Sequence, residues 1–193
     1  MNRVEYLNKI INDNNLEKCV EIGVWKGETS FKLCTNSIIH EYYMVDPHSY
    51  EDNCFEFSGE DHPPFMKEGM YQCTMGGPVL TQNELDIIAN DIAKKCKKYE
   101  NIFYLRKTSL EASKEFEDNY FDFIYLDGIH LYENVKEDII HWIPKLKKGG
   151  FFVGDDYSKN FPGVIKAVNE MFENNLDNLE IDKNLQQYCY HNV

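Results

Sequence analysis

The run Phe121-Asp122-Phe123-Ile124-Tyr125-Leu126 is apolar at nearly every position and ends at once in Asp127-Gly128-Ile129-His130. A half-exposed strand would alternate apolar and polar residues. A run this continuous is covered on both faces, as in the parallel sheets that helices sandwich. The segment also delivers a carboxylate and an imidazole to the carboxyl end of its strand. Two other segments repeat the pattern. Cys19-Val20-Glu21-Ile22 runs into Gly23, and Gly150-Phe151-Phe152-Val153-Gly154 runs into Asp155-Asp156. Open α/β sheets bind ligands at the carboxyl ends of their strands, so these groups form a site if the three strands share one sheet.

Around these strands the chain alternates. Val4, Leu7, Ile10 and Ile11 recur at helical spacing, so an amphipathic helix opens it. Strands are expected at Lys18–Ile22, Glu41–Val45, Asn101–Leu105, Phe121–Leu126 and Gly150–Gly154, the last entered through a Lys147-Lys148-Gly149-Gly150 turn. Helices are expected after Gly27, over Thr81–Tyr99 with Thr81 or Asn83 as cap, over Asn134–Trp142 before Pro144, and over Val164–Phe172. Leu179–Ile181 and Gln187–His191 are candidate last strands. This order implies βαβ units and a doubly wound, mostly parallel sheet. With 193 residues the chain reads as a single domain.

One segment breaks the rhythm. Residues 47–78 hold Pro63-Pro64, Gly59, Gly69 and Gly76-Gly77, with many aromatics and no periodicity. An insertion of this length reads as a lid over the ligand edge, or as a plain surface loop.

A formal net charge of −13 argues against a nucleic-acid groove and against an anionic membrane surface. It suits a small neutral acceptor, and leaves a homo-oligomer open. The six cysteines form no C-x-x-C pair, so neither a zinc knuckle nor a dithiol redox motif is expected. Residues 1–15 lack the apolar run of a signal peptide, and no segment approaches membrane-spanning length. The expected compartment is the cytoplasm, with reduced thiols.

Glu21-Ile22-Gly23-Val24-Trp25-Lys26-Gly27-Glu28-Thr29-Ser30 is a strand, a glycine turn and a helix start. Gly23 permits a tight turn and close approach to backbone. A helix beginning after Gly27 offers free N–H groups to an anionic group. Asp46, at the end of the next strand, is placed for ribose hydroxyls. The departure from G-x-G-x-x-G favours an adenosine ligand without a pyrophosphate. Read singly, Gly23 and Gly27 serve equally well as packing glycines.

Asp127, Asp155 and Asp156 are hard oxygen donors without a Cys/His cluster beside them. Such a set suits Mg²⁺, with Mn²⁺ or Ca²⁺ as substitutes. His130 lies three residues past Asp127, within reach of a hydroxyl whose proton an imidazole can take near neutral pH. The bland alternatives are turn-capping aspartates and a structural histidine.

The motif E-x-G-x-x-x-G at Glu21–Gly27, with Asp46 after the second strand, resembles motif I of the class I S-adenosylmethionine-dependent methyltransferases. Leu126-Asp127-Gly128-x-His130-x-Tyr132, then Val135, Asp138, Trp142, Gly149-Gly150 and Gly154-Asp155-Asp156-Tyr157, is similar to the metal-dependent sugar O-methyltransferases of the macrocin and mycinamicin type. The resemblance implies a Rossmann-like sheet of about seven strands with the last antiparallel. It implies a cofactor site at Glu21, Gly23, Gly27, Ser30, Asp46, Thr108, Ser109 and Asp127. It implies a metal on Asp127, Asp155 and Asp156, and His130 as general base beside Asp127. The implied reaction methylates a hydroxyl of a small diol, a sugar or nucleotide sugar, and releases S-adenosylhomocysteine. A catechol-type acceptor, a non-catalytic cofactor-binding module and a metal-dependent hydrolase stand as alternatives.

Overall fold

The computed structural model describes residues 1–53, 55–57, 63–64, 70–72 and 79–193. In chain order the elements are α1 (Arg3–Asn14), β1 (Lys18–Ile22), α2 (Ser30–Leu33), β2 (Glu41–Val45), α3 (Tyr50–Asn53), β3 (Phe55–Phe57), β4 (Met70–Gln72) and α4 (Gln82–Cys96). There follow β5 (Ile102–Leu105), α5 (Ser109–Ser113), β6 (Phe121–Leu126), α6 (Tyr132–Trp142), β7 (Leu146–Gly154), α7 (Pro162–Met171), β8 (Leu179–Asp182) and β9 (Gln187–His191). Seven strands form one sheet in the order β5-β2-β1-β6-β7-β9-β8, while β3 and β4 make a separate hairpin.

The five strands from β5 to β7 are parallel to their neighbours. β9 runs antiparallel to β7 and β8. The chain leaves β1 toward β2 and β5, then returns to β1's other side at β6. The carboxyl ends of β1 and β6 therefore flank a point where the order reverses, which is where such sheets take ligands.

Both faces are covered, as the continuous apolar strands require. Side chains alternate across a strand. Ile124 and Leu126 pack on Val135, Ile139 and Trp142 of α6 and Val164 and Val168 of α7. Phe123 and Tyr125 face the opposite core, which Leu7 and Ile11 of α1, Leu33 of α2 and Ile92 of α4 complete.

Local chemistry sets several boundaries. Capping boxes start three helices: Asn2 with Glu5 at α1, Thr81 with Glu84 at α4, and Thr108 with Glu111 at α5. Each such cap contributes about 1 kcal/mol. α6 begins at Tyr132, two residues before the expected Asn134, because Leu131 caps it with extended backbone and no side-chain bond. The expected Lys147–Gly150 turn is instead part of β7. Gly149, at φ 81°, bulges the strand there, and the register against β6 shifts between Phe121 and Phe123. Most of the lid expected at residues 47–78 lies outside the described residues. Its first residues are pinned: Arg106 donates to the carbonyls of Pro47 (3.2 Å) and His48 (2.8 Å), and Gln82 donates to His48 O (3.2 Å). Among the described residues no helix is long and apolar enough to cross a membrane.

Candidate active site

A cavity of about 790 Å³ opens at the carboxyl ends of β1, β2 and β6. Its walls are the Glu21–Lys26 turn, Val45–Pro47, Thr108–Leu110, Asp127–His130 and the first turns of α6. Eight of the lining side chains are Asp or Glu, and two, Arg3 and Lys26, are cationic.

The glycine turn builds one wall, and its two glycines pack closely against neighbouring elements. Gly23 has φ 87°, and a Cβ there would meet the Asp127 carbonyl oxygen at 2.1 Å and Gly128 Cα at 2.6 Å. The missing side chain makes room for the end of β6. Gly27 has φ 76° and packs under the Phe31 ring, where a Cβ would meet Cε2 at 2.7 Å. Ser30 also stands behind the wall. Its hydroxyl donates to Glu21 Oε2 (2.5 Å), which also accepts from Tyr42 (2.7 Å). Glu21 lines the cavity yet is buried, and burial pushes its carboxyl up to about 8, against the pull of those two hydroxyls.

Asp46 ties two loops together. Its Oδ2 accepts from Trp25 N (2.8 Å) and its Oδ1 from His48 N (3.0 Å). Both donors sit in left-handed backbone, Trp25 at φ 50° and His48 at φ 42°, a conformation that costs about 1–3 kcal/mol for a side-chain-bearing residue. His48 is fully buried, its Nε2 on Trp25 O (2.7 Å) and its Nδ1 on the Tyr104 hydroxyl (2.6 Å). Any ribose contact by Asp46 shares oxygens that already brace this wall.

The far wall is a relay. Trp142 Nε1 donates to Ser109 Oγ (2.8 Å), and Ser109 donates to Asp138 Oδ1. Burial lifts the Asp138 carboxyl to about 7. Thr108 lines the cavity and caps α5.

The acidic residues after β6 and β7 separate into two sets. Arg3 Nη1 donates to Asp127 Oδ2 (3.1 Å) and to Asp155 Oδ2, and the Tyr125 hydroxyl reaches the same two oxygens at 3.3 Å each. On the other side, His130 Nε2 lies 3.0 Å from Asp156 Oδ2 and 3.6 Å from Asp127 Oδ1. These are charge contacts without hydrogen-bond alignment, so the buried Nε2 lacks a hydrogen-bond partner among the described residues. Asp156 has φ 59°, which turns it away from Asp155 and toward His130. Burial pulls the His130 imidazole down, but Asp127, Asp156 and Asp155 outweigh it and raise it overall. Burial lifts Asp156 to about 6. Asp127, His130 and Asp156 each offer a ligand atom, all within 4.8 Å of one another.

Of the residues singled out in the sequence, the structure brings Glu21, Gly23, Asp46, Thr108, Ser109, Asp127, His130 and Asp156 to the cavity wall. Gly27 and Ser30 support it from behind, and Asp155 is held by Arg3. Arg3 also lines the cavity, without any sign in the sequence, and so does Asp138, which the second-half motif includes without a role.

A doubly wound sheet with an acidic cavity at its switch point defines a Rossmann-like cofactor-binding protein. The family model of the methyltransferase domain matches residues 20–157, more than half of the chain, and the chain belongs to that family. Two solved structures share the fold. The O-methyltransferase NovP is 17% identical with a TM-score of 0.64, covering 99% of this chain and 79% of that one. A Staphylococcus aureus protein provisionally named a caffeoyl-CoA O-methyltransferase is 13% identical with a TM-score of 0.61, covering 97% and 82%. At such identities the likeness concerns the fold alone. Among curated proteins, the uncharacterized protein y4gI of Sinorhizobium fredii (strain NBRC 101917 / NGR234) is 28% identical over 133 residues. The match spans 67% of this chain and 12% of that protein's length.

Proposed function

We propose that this domain methylates a hydroxyl of a small diol acceptor, a sugar in the first instance, with a divalent cation such as Mg²⁺ at its acidic centre. One observation carries the reading. A buried imidazole nitrogen without a hydrogen-bond partner among the described residues faces two carboxylates in the cavity wall. That donor set fits a hard cation: oxygen ligands from Asp127 and Asp156, no thiolate, and an uncommitted nitrogen alongside. Asp127 and Asp156 would hold the ion. Bound there, it would acidify a hydroxyl it touches and gather two neighbouring acceptor oxygens.

The chain's own residues supply the rest. Nε2 of His130 would take the proton of the acceptor hydroxyl. Glu21 would meet the ammonium of the cofactor's amino-acid end, and the acidic walls favour its positively charged sulfur. Asp46 and the Ser109–Asp138 relay hold the two sides of the cavity at fixed separation, so positioning accounts for much of the rate.

The test is a methylation assay with a panel of nucleotide sugars, catechols and matched mono-hydroxyl analogues, run with Mg²⁺, with EDTA, and with Mg²⁺ restored. Diol-selective turnover that EDTA abolishes and Mg²⁺ restores is the expected result. Full turnover in excess chelator sinks the metal, and turnover on catechols alone replaces the sugar with a flat acceptor.

A further inference from the structure

We propose that Arg3 is a cofactor-binding residue whose guanidinium receives the amino-acid carboxylate of S-adenosylmethionine. The inference rests on this cavity being the cofactor site. The cofactor carries a positive sulfur, a positive ammonium and a negative carboxylate. Eight acidic lining residues suit the first two and repel the third. Among the described lining residues Arg3 and Lys26 are the two permanent cations that oppose that repulsion. Lys26 is exposed, its ammonium 5.7 Å from the centre of the Trp25 ring. Arg3 is the half-buried one.

A guanidinium has five N–H donors. Two on Nη1 go to Asp127 Oδ2 and Asp155 Oδ2, and one on Nη2 goes to Thr29 Oγ1 at 3.3 Å. The Nε donor and the second Nη2 donor have no partner among the described residues. The side chain is 42% exposed and lines the cavity. An Nε–H and an Nη2–H on the same side of a guanidinium bind a carboxylate in a fork. The two aspartates already fix the guanidinium, so little freedom is lost when a carboxylate arrives.

Position completes the case. The ammonium and carboxylate of an amino acid share one carbon, so their protein partners must be neighbours. Arg3 bonds Thr29, one residue before Ser30, and Ser30 bonds Glu21, the ammonium's partner in the reading above. The sequence keeps Arg3 on α1, outside the glycine turn, so docking of α1 becomes part of cofactor binding.

The experiment titrates two ligands by calorimetry into wild type, Arg3→Ala and Arg3→Lys. S-Adenosylhomocysteine carries the amino-acid end, and 5′-methylthioadenosine lacks it. Arg3→Ala should weaken S-adenosylhomocysteine by about 10- to 100-fold and leave 5′-methylthioadenosine within about twofold. Arg3→Lys keeps the charge without the fork and should fall between. Binding of 5′-methylthioadenosine also reports that the cavity is intact in each variant. Unchanged S-adenosylhomocysteine affinity, or an equal loss for both ligands, overturns the inference and leaves Arg3 as a structural counter-ion. If wild type binds neither ligand, the cofactor reading of the cavity fails, and this inference with it.

Discussion

Gly23 and the carbonyl of Asp127 touch end to end across β1 and β6: a Cβ on Gly23 would lie 2.1 Å from that oxygen. Asp127 N in turn donates to Ile22 O at 2.8 Å. The glycine of the cofactor turn thus sets the position of the first carboxylate of the acidic centre. Gly23→Ala adds a backbone clash to a left-handed φ, and should cost about 3 kcal/mol or more, roughly 6–12 °C in Tm. Gly27→Ala, also at a left-handed φ, meets side-chain atoms of Phe31 (2.7 and 2.9 Å) and the Met44 methyl (3.2 Å) rather than backbone, and should cost less. Thermal melts of both variants check this, and a smaller loss at Gly23 than at Gly27 refutes it.

Glu21 predicts a pH dependence. Its folded carboxyl sits at about 8 because it is buried, against an ordinary value of 4.5. Between those two values the folded state holds a proton that the unfolded chain has released. Stability therefore falls as pH rises through that window and levels off above it. Glu21→Gln should flatten the dependence and be the more stable protein at pH 8.5, by on the order of a few kcal/mol. Urea unfolding at pH 5.5 and pH 8.5 measures the difference. Binding should also release a proton near pH 7 if Glu21 meets the cofactor's ammonium. Calorimetric heats of S-adenosylhomocysteine binding would then differ between phosphate and Tris. Buffer-independent heats would contradict that pairing.

Ser109 lines the cavity and joins two buried side chains. Its hydroxyl accepts from Trp142 and donates to Asp138. Ser109→Ala leaves both buried partners short of a hydrogen bond, a loss of about 1–3 kcal/mol. The effect should appear in unfolding first and in cofactor affinity only modestly. Unchanged stability with a tenfold loss of affinity would make Ser109 a direct cofactor contact instead.

The fold was legible because its strands are covered on both faces. Lys18–Ile22, Glu41–Val45 and Phe121–Leu126 carry their apolar runs in the sequence, and the turn residues mark their ends. The acidic centre was legible as a set but not in its division. Asp155 and Asp156 look alike as neighbours, and only the left-handed backbone at Asp156 sends one to His130 and the other to Arg3. Arg3 itself left no local signal. It lies on an ordinary amphipathic helix and meets carboxylates 124 and 152 residues away, a contact made by tertiary docking alone. The glycines stand out in the sequence, and the structure adds the neighbours a Cβ there would meet, the Asp127 carbonyl at Gly23 and the Phe31 ring at Gly27. Sequence shows that a Cβ is absent, but not what fills the space. α5 went unread although its capping box, Thr108 with Glu111, was present.

His130 decides the chemistry. Its side chain is 12% exposed, its ring packs 4.9 Å from that of Phe161, and its Nε2 faces Asp156 and Asp127. As the base, it should contribute about 10²–10⁴-fold to kcat. His130→Gln keeps much of the bulk but cannot take a proton at that position, so turnover should fall by that factor with Tm nearly unchanged. Affinity for S-adenosylhomocysteine should hold within about twofold, because the Glu21–Asp46 side of the cavity does not depend on the imidazole. If His130 is a metal ligand instead, Mn²⁺ affinity, read by electron paramagnetic resonance, should drop in the variant along with turnover. If it is structural, Tm should fall while turnover per folded molecule survives. Only a loss of turnover with cofactor affinity, Mn²⁺ affinity and Tm all retained keeps His130 as the proton acceptor.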